Sequence, residues 1–108
     1  MRKLDLRDFK VKQKIMNSMP GQEEYKELSY FVKDSILNIL FLPELKLMGI
    51  VLVKQNILAM KIEECDEYVM LEEEEYGRVK DAINIYPAQT RHDAILVDRV
   101  LNQTPKIE

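Results

Sequence analysis

Side chains that carry chemistry are scarce in this chain. Its 108 residues include one cysteine, one histidine, three glycines and no tryptophan. A lone thiol, Cys65, excludes an internal disulfide framework and fits a reducing compartment. Cys65 and His92 together fall short of the about four Cys or His ligands that structural zinc takes. Three glycines leave little material for a loop that cradles phosphate. Ser18, Ser29 and Ser35 have no Gly-x-Ser-x-Gly elbow around them. No apolar run approaches the ~20 residues of a membrane span, and the charged opening Met1-Arg-Lys, followed by Asp5 and Asp8, predicts no secretory signal.

Catalysis through the one thiol is also disfavoured. Cys65 stands among Glu63, Glu64, Asp66 and Glu67, and that negative field opposes the thiolate a nucleophile needs. The eight carboxylates between Glu63 and Glu75 suggest a hard cation at first sight. A calcium loop, however, needs alternating acids with a glycine at the turn, and Tyr68-Val-Met-Leu71 interrupts the run without one. The expectation is a protein without catalytic residues, metal or cofactor.

What is present is a globular composition, 46% hydrophobic and 32% charged, with a formal charge of −3. That fits a single domain over residues 1–108. The charge is unevenly placed. Residues 1–16 carry +4, residues 17–62 are neutral, residues 63–75 carry −8 and the remainder +1. A basic start and an acidic centre bear on association more than on fold.

The periodicities predict an α+β domain. Phe9-Lys-Val-Lys-Gln13 alternates with period two, as a strand with one wet face does. Asn17-Ser-Met-Pro-Gly21 supplies turn chemistry, and Gln22–Leu28 returns as the second strand of a hairpin or reads as helix. Ser29 is placed to cap a helix with Val32, Ile36, Ile39 and Leu40 on its inner face, ended by Pro43 and expected to be the most buried element. Leu45 to Cys65 satisfies two helical stripes, Ile50, Val53, Ile57, Met60 and Leu47, Val51, Leu58, Ile62. The prediction is helix, with a break near Lys54–Asn56 and a hairpin of 50–53 with 57–62 as the competitor. Val69–Leu71 reads as a short third strand. Glu72–Glu75 then start a helix where negative charge meets the positive end of the dipole. Tyr76, Val79, Ile83 and Tyr86 form its inner face. Thr90-Arg-His-Asp93 resembles a capping box before a last helix with Leu96, Val97, Val100 and Leu101 turned inward. The architecture expected is an N-terminal β-hairpin, with the short third strand, packed on about four helices and ending in a helical hairpin.

With catalysis set aside, contact with another macromolecule is the remaining role. The candidate partner-binding residues are Glu72, Glu73, Glu74 and Glu75 with Tyr68 and Tyr76 beside them, and Lys10, Lys12 and Lys14 on the basic strand. The lysines could follow a phosphate backbone, and the last two helices could pose as a helix-turn-helix. Against nucleic acid stand four glutamates at the start of one of those helices, Asp93 and Asp98 on the other, and Phe9 as the one aromatic among the N-terminal bases. A membrane-surface helix would need bases along one face, and the apolar stretch 30–42 has only Lys33. The expected partner is another protein, a second copy of the chain included.

One further pattern supplies context. Tyr30-Phe-Val-Lys-Asp-Ser-Ile-Leu-Asn-Ile-Leu-Phe41, Leu45-Lys-Leu-Met-Gly49, Leu71-Glu-Glu-Glu-Glu-Tyr76 and Asp98-Arg-Val-Leu101, in this order, resemble small uncharacterised proteins of tailed bacteriophages and prophages. The resemblance implies a phage-encoded accessory or virion-assembly protein in the host cytoplasm or the virion, and it has no functional residue to carry over. Two other roles stay open. One is an inhibitor that offers its acidic face as a nucleic-acid mimic, and the other is a nucleic-acid-binding regulator using the basic N-terminus.

Overall fold

The computed structural model describes residues 1–14, 21 and 25–107. The fold is α+β, with two small antiparallel sheets and four helices. The strands are β1 (Arg2–Asp5), β2 (Phe9–Lys14), β3 (Tyr25–Tyr30) and β4 (Tyr68–Leu71). The helices are α1 (Val32–Ile39), α2 (Gly49–Glu63), α3 (Glu73–Ile85) and α4 (Asp93–Asn102), with a single 3-10 turn at Pro43–Leu45.

The predicted hairpin is β2–β3, in a register that pairs Phe9 with Tyr30 and Val11 with Leu28. Alternation along β2 turns Val11 inward, and the Phe9 ring stacks on Tyr30 at 4.6 Å between centroids. Of the expected turn only Gly21 is described, at φ +92°, and residues 15–20 and 22–24 lie outside the described set.

The expected third strand forms, but it does not join the hairpin. β4 pairs with β1, Leu4 opposite Val69 and Arg2 opposite Leu71. Leu4, Leu6, Val69 and Leu71 are fully or almost fully buried. The other edge of β1 is held by the C-terminal segment, where Lys3 donates its N–H to Pro105 O at 3.1 Å and Ile107 to Met1 O at 2.7 Å. A strand four residues long, with ends of the chain beside it, gives too brief an alternation to read from sequence.

Ser29 is not the cap of α1. It lies in β3, and the N-terminus of α1 is served from a distance by Asp8, whose Oδ1 accepts from Val32 N at 2.9 Å. The helix ends at Ile39, short of Pro43, and Phe31 and Phe41 at its two ends remain exposed. Its inner face still supplies Val32, Ile36, Ile39 and Leu40 to the core. α2 is one unbroken helix of 15 residues, without the expected break near Lys54–Asn56, which also settles the helix-or-hairpin alternative. It begins on Gly49 at φ +57°, a left-handed conformation that suits glycine.

α3 starts with a capping box in which Glu72 and Glu75 each bind the other's backbone N–H. Tyr76, Val79, Ala82 and Ile83 are buried against α4, whose Leu96 and Val100 are fully enclosed. The Thr90–Asp93 box forms by halves. The Asp93 carboxylate accepts from Gln89 N and Thr90 N, while His92 at the cap offers no side-chain bond. α3 and α4 are the predicted helical hairpin. Arg99 of α4 fixes the β1–β2 connection, donating to the carbonyls of Asp5 and Arg7 and covering the Phe9 ring at 5.2 Å. Among the described residues no helix is long and apolar enough to cross a membrane.

Candidate interaction surfaces

The four glutamates at the start of α3 are occupied within the molecule. Glu72 caps α3, and Glu75 accepts from Glu72 N and from Lys61 Nζ, both at 2.8 Å. Burial pushes the Glu75 carboxyl up, but Lys61, the Glu72 N–H and the Arg78 charge outweigh it and hold the group below the usual glutamate range. Glu73 pairs with Arg2 at 3.2 Å, and Glu74 with Arg78 one turn on. The run therefore joins α3 to α2 and β1 in place of presenting four unpaired carboxylates.

The candidate tyrosines behave alike. Tyr76 is buried, and its hydroxyl donates to Val100 O at 2.9 Å beneath the Arg2 guanidinium, so it is part of the α3–α4 packing and offers no face to a partner. Tyr68 is half-buried in β4, with Lys3 4.2 Å and Arg7 5.0 Å from its ring centre. The basic N-terminus thus meets the tyrosines and glutamates of the acidic segment inside one chain.

Lys10 and Lys12 remain at the surface, and the structure brings them to residues far away in sequence. With Tyr25, Arg91, His92 and Ile95 they line an open groove of about 630 Å³ between the hairpin and the start of α4. Lys10 Nζ donates to Ser29 Oγ across the ladder at 2.6 Å. Lys14 lies in β2 opposite Tyr25, and its side chain is outside the described set. His92 is half-buried in this groove and Cys65 is half-buried against the core. No group of three metal-binding side chains occurs among the described residues.

A second hollow, about 430 Å³, opens between α1 and the α3–α4 connection and is lined by Tyr30, Ser35, Asn38, Tyr86 and Asp93. Burial raises the Tyr30 hydroxyl above the ordinary tyrosine range, and its bond to the Asp93 carboxylate adds to that shift. For Asp93 burial acts upward, but bonds from Tyr30, Thr90 N, Gln89 N and Tyr86 hold it below the usual aspartate range. All of its partners belong to the fold.

The largest unassigned feature is the outer face of α2. This helix is apolar on both sides. Gln55, Leu58, Ala59 and Ile62 face the core, and the Gln55 amide donates to Leu40 O at 3.0 Å just past the end of α1. The opposite stripe, Ile50, Val53, Ile57 and Met60, is open to solvent, with exposures of 66, 52, 59 and 51%. Met48, at 75%, extends it past the start of the helix. The outer stripe was legible as a helical periodicity of residues 45–65 but was not assigned to a binding face; of the other predicted stripe, Leu58 and Ile62 are buried, while Val51 is exposed and Leu47 precedes the helix. Two apolar stripes half a turn apart are the signal, because a helix apolar all round needs cover on both sides. Here only one side has it.

No family model, curated protein or solved structure matches this chain.

Proposed function

We infer that this protein acts without catalysis, by protein–protein contact, and that the outer face of α2 is the surface it uses. The observation that carries this reading is the uncovered apolar stripe Ile50–Val53–Ile57–Met60. Exposed apolar patches of this kind are costly to leave in water and mark contact surfaces. The role proposed is that of a phage-type accessory or virion-assembly protein, supported by the ordered sequence pattern over residues 30–101. Structural phage genes beside its own would favour assembly, and early-region genes would favour an inhibitor.

The test is a photoreactive side chain placed at Ile57 in cells that make the protein. A covalent protein adduct is expected on irradiation, and none from the same probe at Lys80, which is exposed on α3. Absence of any adduct at Ile57 overturns the reading. The acidic-mimic alternative has less support, since Glu73, Glu74 and Glu75 are each paired to a base. The nucleic-acid alternative draws on the groove that gathers Lys10, Lys12, Arg91 and His92. It requires a labelled-DNA shift at low salt that disappears in the Lys10→Ala, Lys12→Ala variant.

A further inference from the structure

We propose that the free edge of β2 takes an extended protein segment of alternating acidic and apolar residues, which joins the hairpin as a third strand. This surface shares no residue with the outer face of α2 and stands or falls separately from it.

The edge is open. β2 bonds to β3 on one side, and among the described residues nothing bonds to the main chain of Lys10–Gln13 on the other. An unpaired edge is a template for a further strand, and a hairpin of two strands is marginal without one. The groove of about 630 Å³ lies along this edge. Four consecutive residues, Lys10 to Gln13, line it together with Arg91, His92 and Ile95. Side chains of a strand alternate between its faces, so a hollow that touches all four follows the edge and not a single face.

Charge selects the occupant. Lys10 and Lys12 share one face of β2, and Arg91 stands on the far wall of the groove. All three are exposed, and none is in an ion pair among the described residues. Glu27, across the ladder from Lys12, is the one carboxylate on that face of the hairpin among the described residues. Asp93, behind the groove, is already taken up by Tyr30, Gln89 and Thr90. A strand laid along β2 sets every second side chain beside Lys10 and Lys12, and those between them toward Val11 and Ile95. Acidic residues suit the first set. Apolar residues suit the second, where Ile95 is 46% exposed.

A second copy of β2 does not fit. In one register lysine stands against lysine, and a shift by one residue sets lysine against Val11 or Gln13. A nucleic acid would answer the charge and leave the regular donors and acceptors of the edge unused.

The test is a titration of the purified, isotope-labelled full chain with the peptide Glu-Val-Glu-Val-Glu-Val-Glu at low salt, followed by amide NMR. Shifts are expected at Lys10–Gln13 and around Arg91, saturating below about 1 mM, as suits a short segment on a small contact. Lys12→Ala should weaken binding about threefold, and Lys10→Glu combined with Lys12→Glu about tenfold or more. Three altered peptides keep the charge. One groups the glutamates at one end, one is N-methylated at every valine and one at every glutamate. The grouped isomer, and whichever N-methylated peptide loses the donors facing β2, should bind at least about fivefold more weakly. The peptide arms decide the matter even if a charge-reversed chain fails to fold. No shift up to about 2 mM overturns the proposal. So do equal binding of the grouped isomer, binding of both N-methylated peptides as tight as the parent's, and shifts that lie away from β2 and the start of α4. Oligothymidylate that binds at the same amides more tightly than the peptide overturns it in favour of a nucleic acid.

Discussion

The Tyr30 hydroxyl at the end of β3 donates to the Asp93 carboxylate in the first turn of α4, 63 residues further along the chain. This bond closes the hairpin onto the helical half of the molecule. Asp93 is 5% exposed, and the same carboxylate takes the N–H groups of Gln89 and Thr90 at 2.9 and 3.1 Å. One side chain therefore anchors a strand and organises a helix start.

Removal of the two ends of that bond should be unequal. Tyr30→Phe deletes one hydrogen bond and is expected to cost about 1–2 kcal/mol. Asp93→Ala strands the Tyr30 hydroxyl and two backbone donors, and should cost about 3 kcal/mol or more. Urea midpoints of the two variants would check the order, and an Asp93→Ala variant no weaker than Tyr30→Phe would contradict it.

Stability should fall at both ends of the pH scale. Asp5, Glu75 and Asp93 are all held below their ordinary values in the fold, against a burial effect that acts the other way in each. A carboxylate depressed on folding contributes stability that is complete above the unfolded values, about pH 4, and drains away as pH drops through the folded ones. Tyr30 and Tyr86 are raised, first by burial. Their contribution is complete below about pH 10 and is lost as pH climbs toward the folded values. Urea midpoints measured against pH should show a plateau between these limits, and Tyr30→Phe should flatten the alkaline fall.

Within the acidic run, position decides the effect. Glu75→Ala breaks the capping box and the Lys61 bridge together and should cost about 1–2 kcal/mol. Glu73→Ala, which removes an exposed pair with Arg2, should stay within about 0.5 kcal/mol. Thermal melts of the two variants at moderate salt would show the difference.

Gln55 gives a test of the inner face of α2. It is 3% exposed and its amide meets Leu40 O at 3.0 Å, so Gln55→Ala leaves a buried carbonyl without its donor and should cost about 2–3 kcal/mol. Ile57→Ser, on the exposed side of the same helix, should leave the melting temperature nearly unchanged. Comparable losses at the two positions would contradict the assignment of inner and outer faces.

The elements that sequence made legible are those whose signal is local. Alternation marked Phe9–Gln13, helical spacing marked Val32–Leu40 and Tyr76–Ile83, and the glutamates marked the start of α3, because side-chain period and dipole charge act within a few residues. The length and composition, with hardly a catalytic side chain, left contact as the role to consider. Only tertiary structure decided which distant groups meet. Asp8 and not Ser29 serves α1, β4 joins β1 and not the hairpin, and the Tyr76 hydroxyl donates to Val100 O. The same holds for the two apolar stripes of α2. They look alike as sequence, and one is buried while the other is exposed because α1 packs against a single side of a cylinder. Periodicity records that a face is apolar, but cover comes from whatever the rest of the chain brings to it.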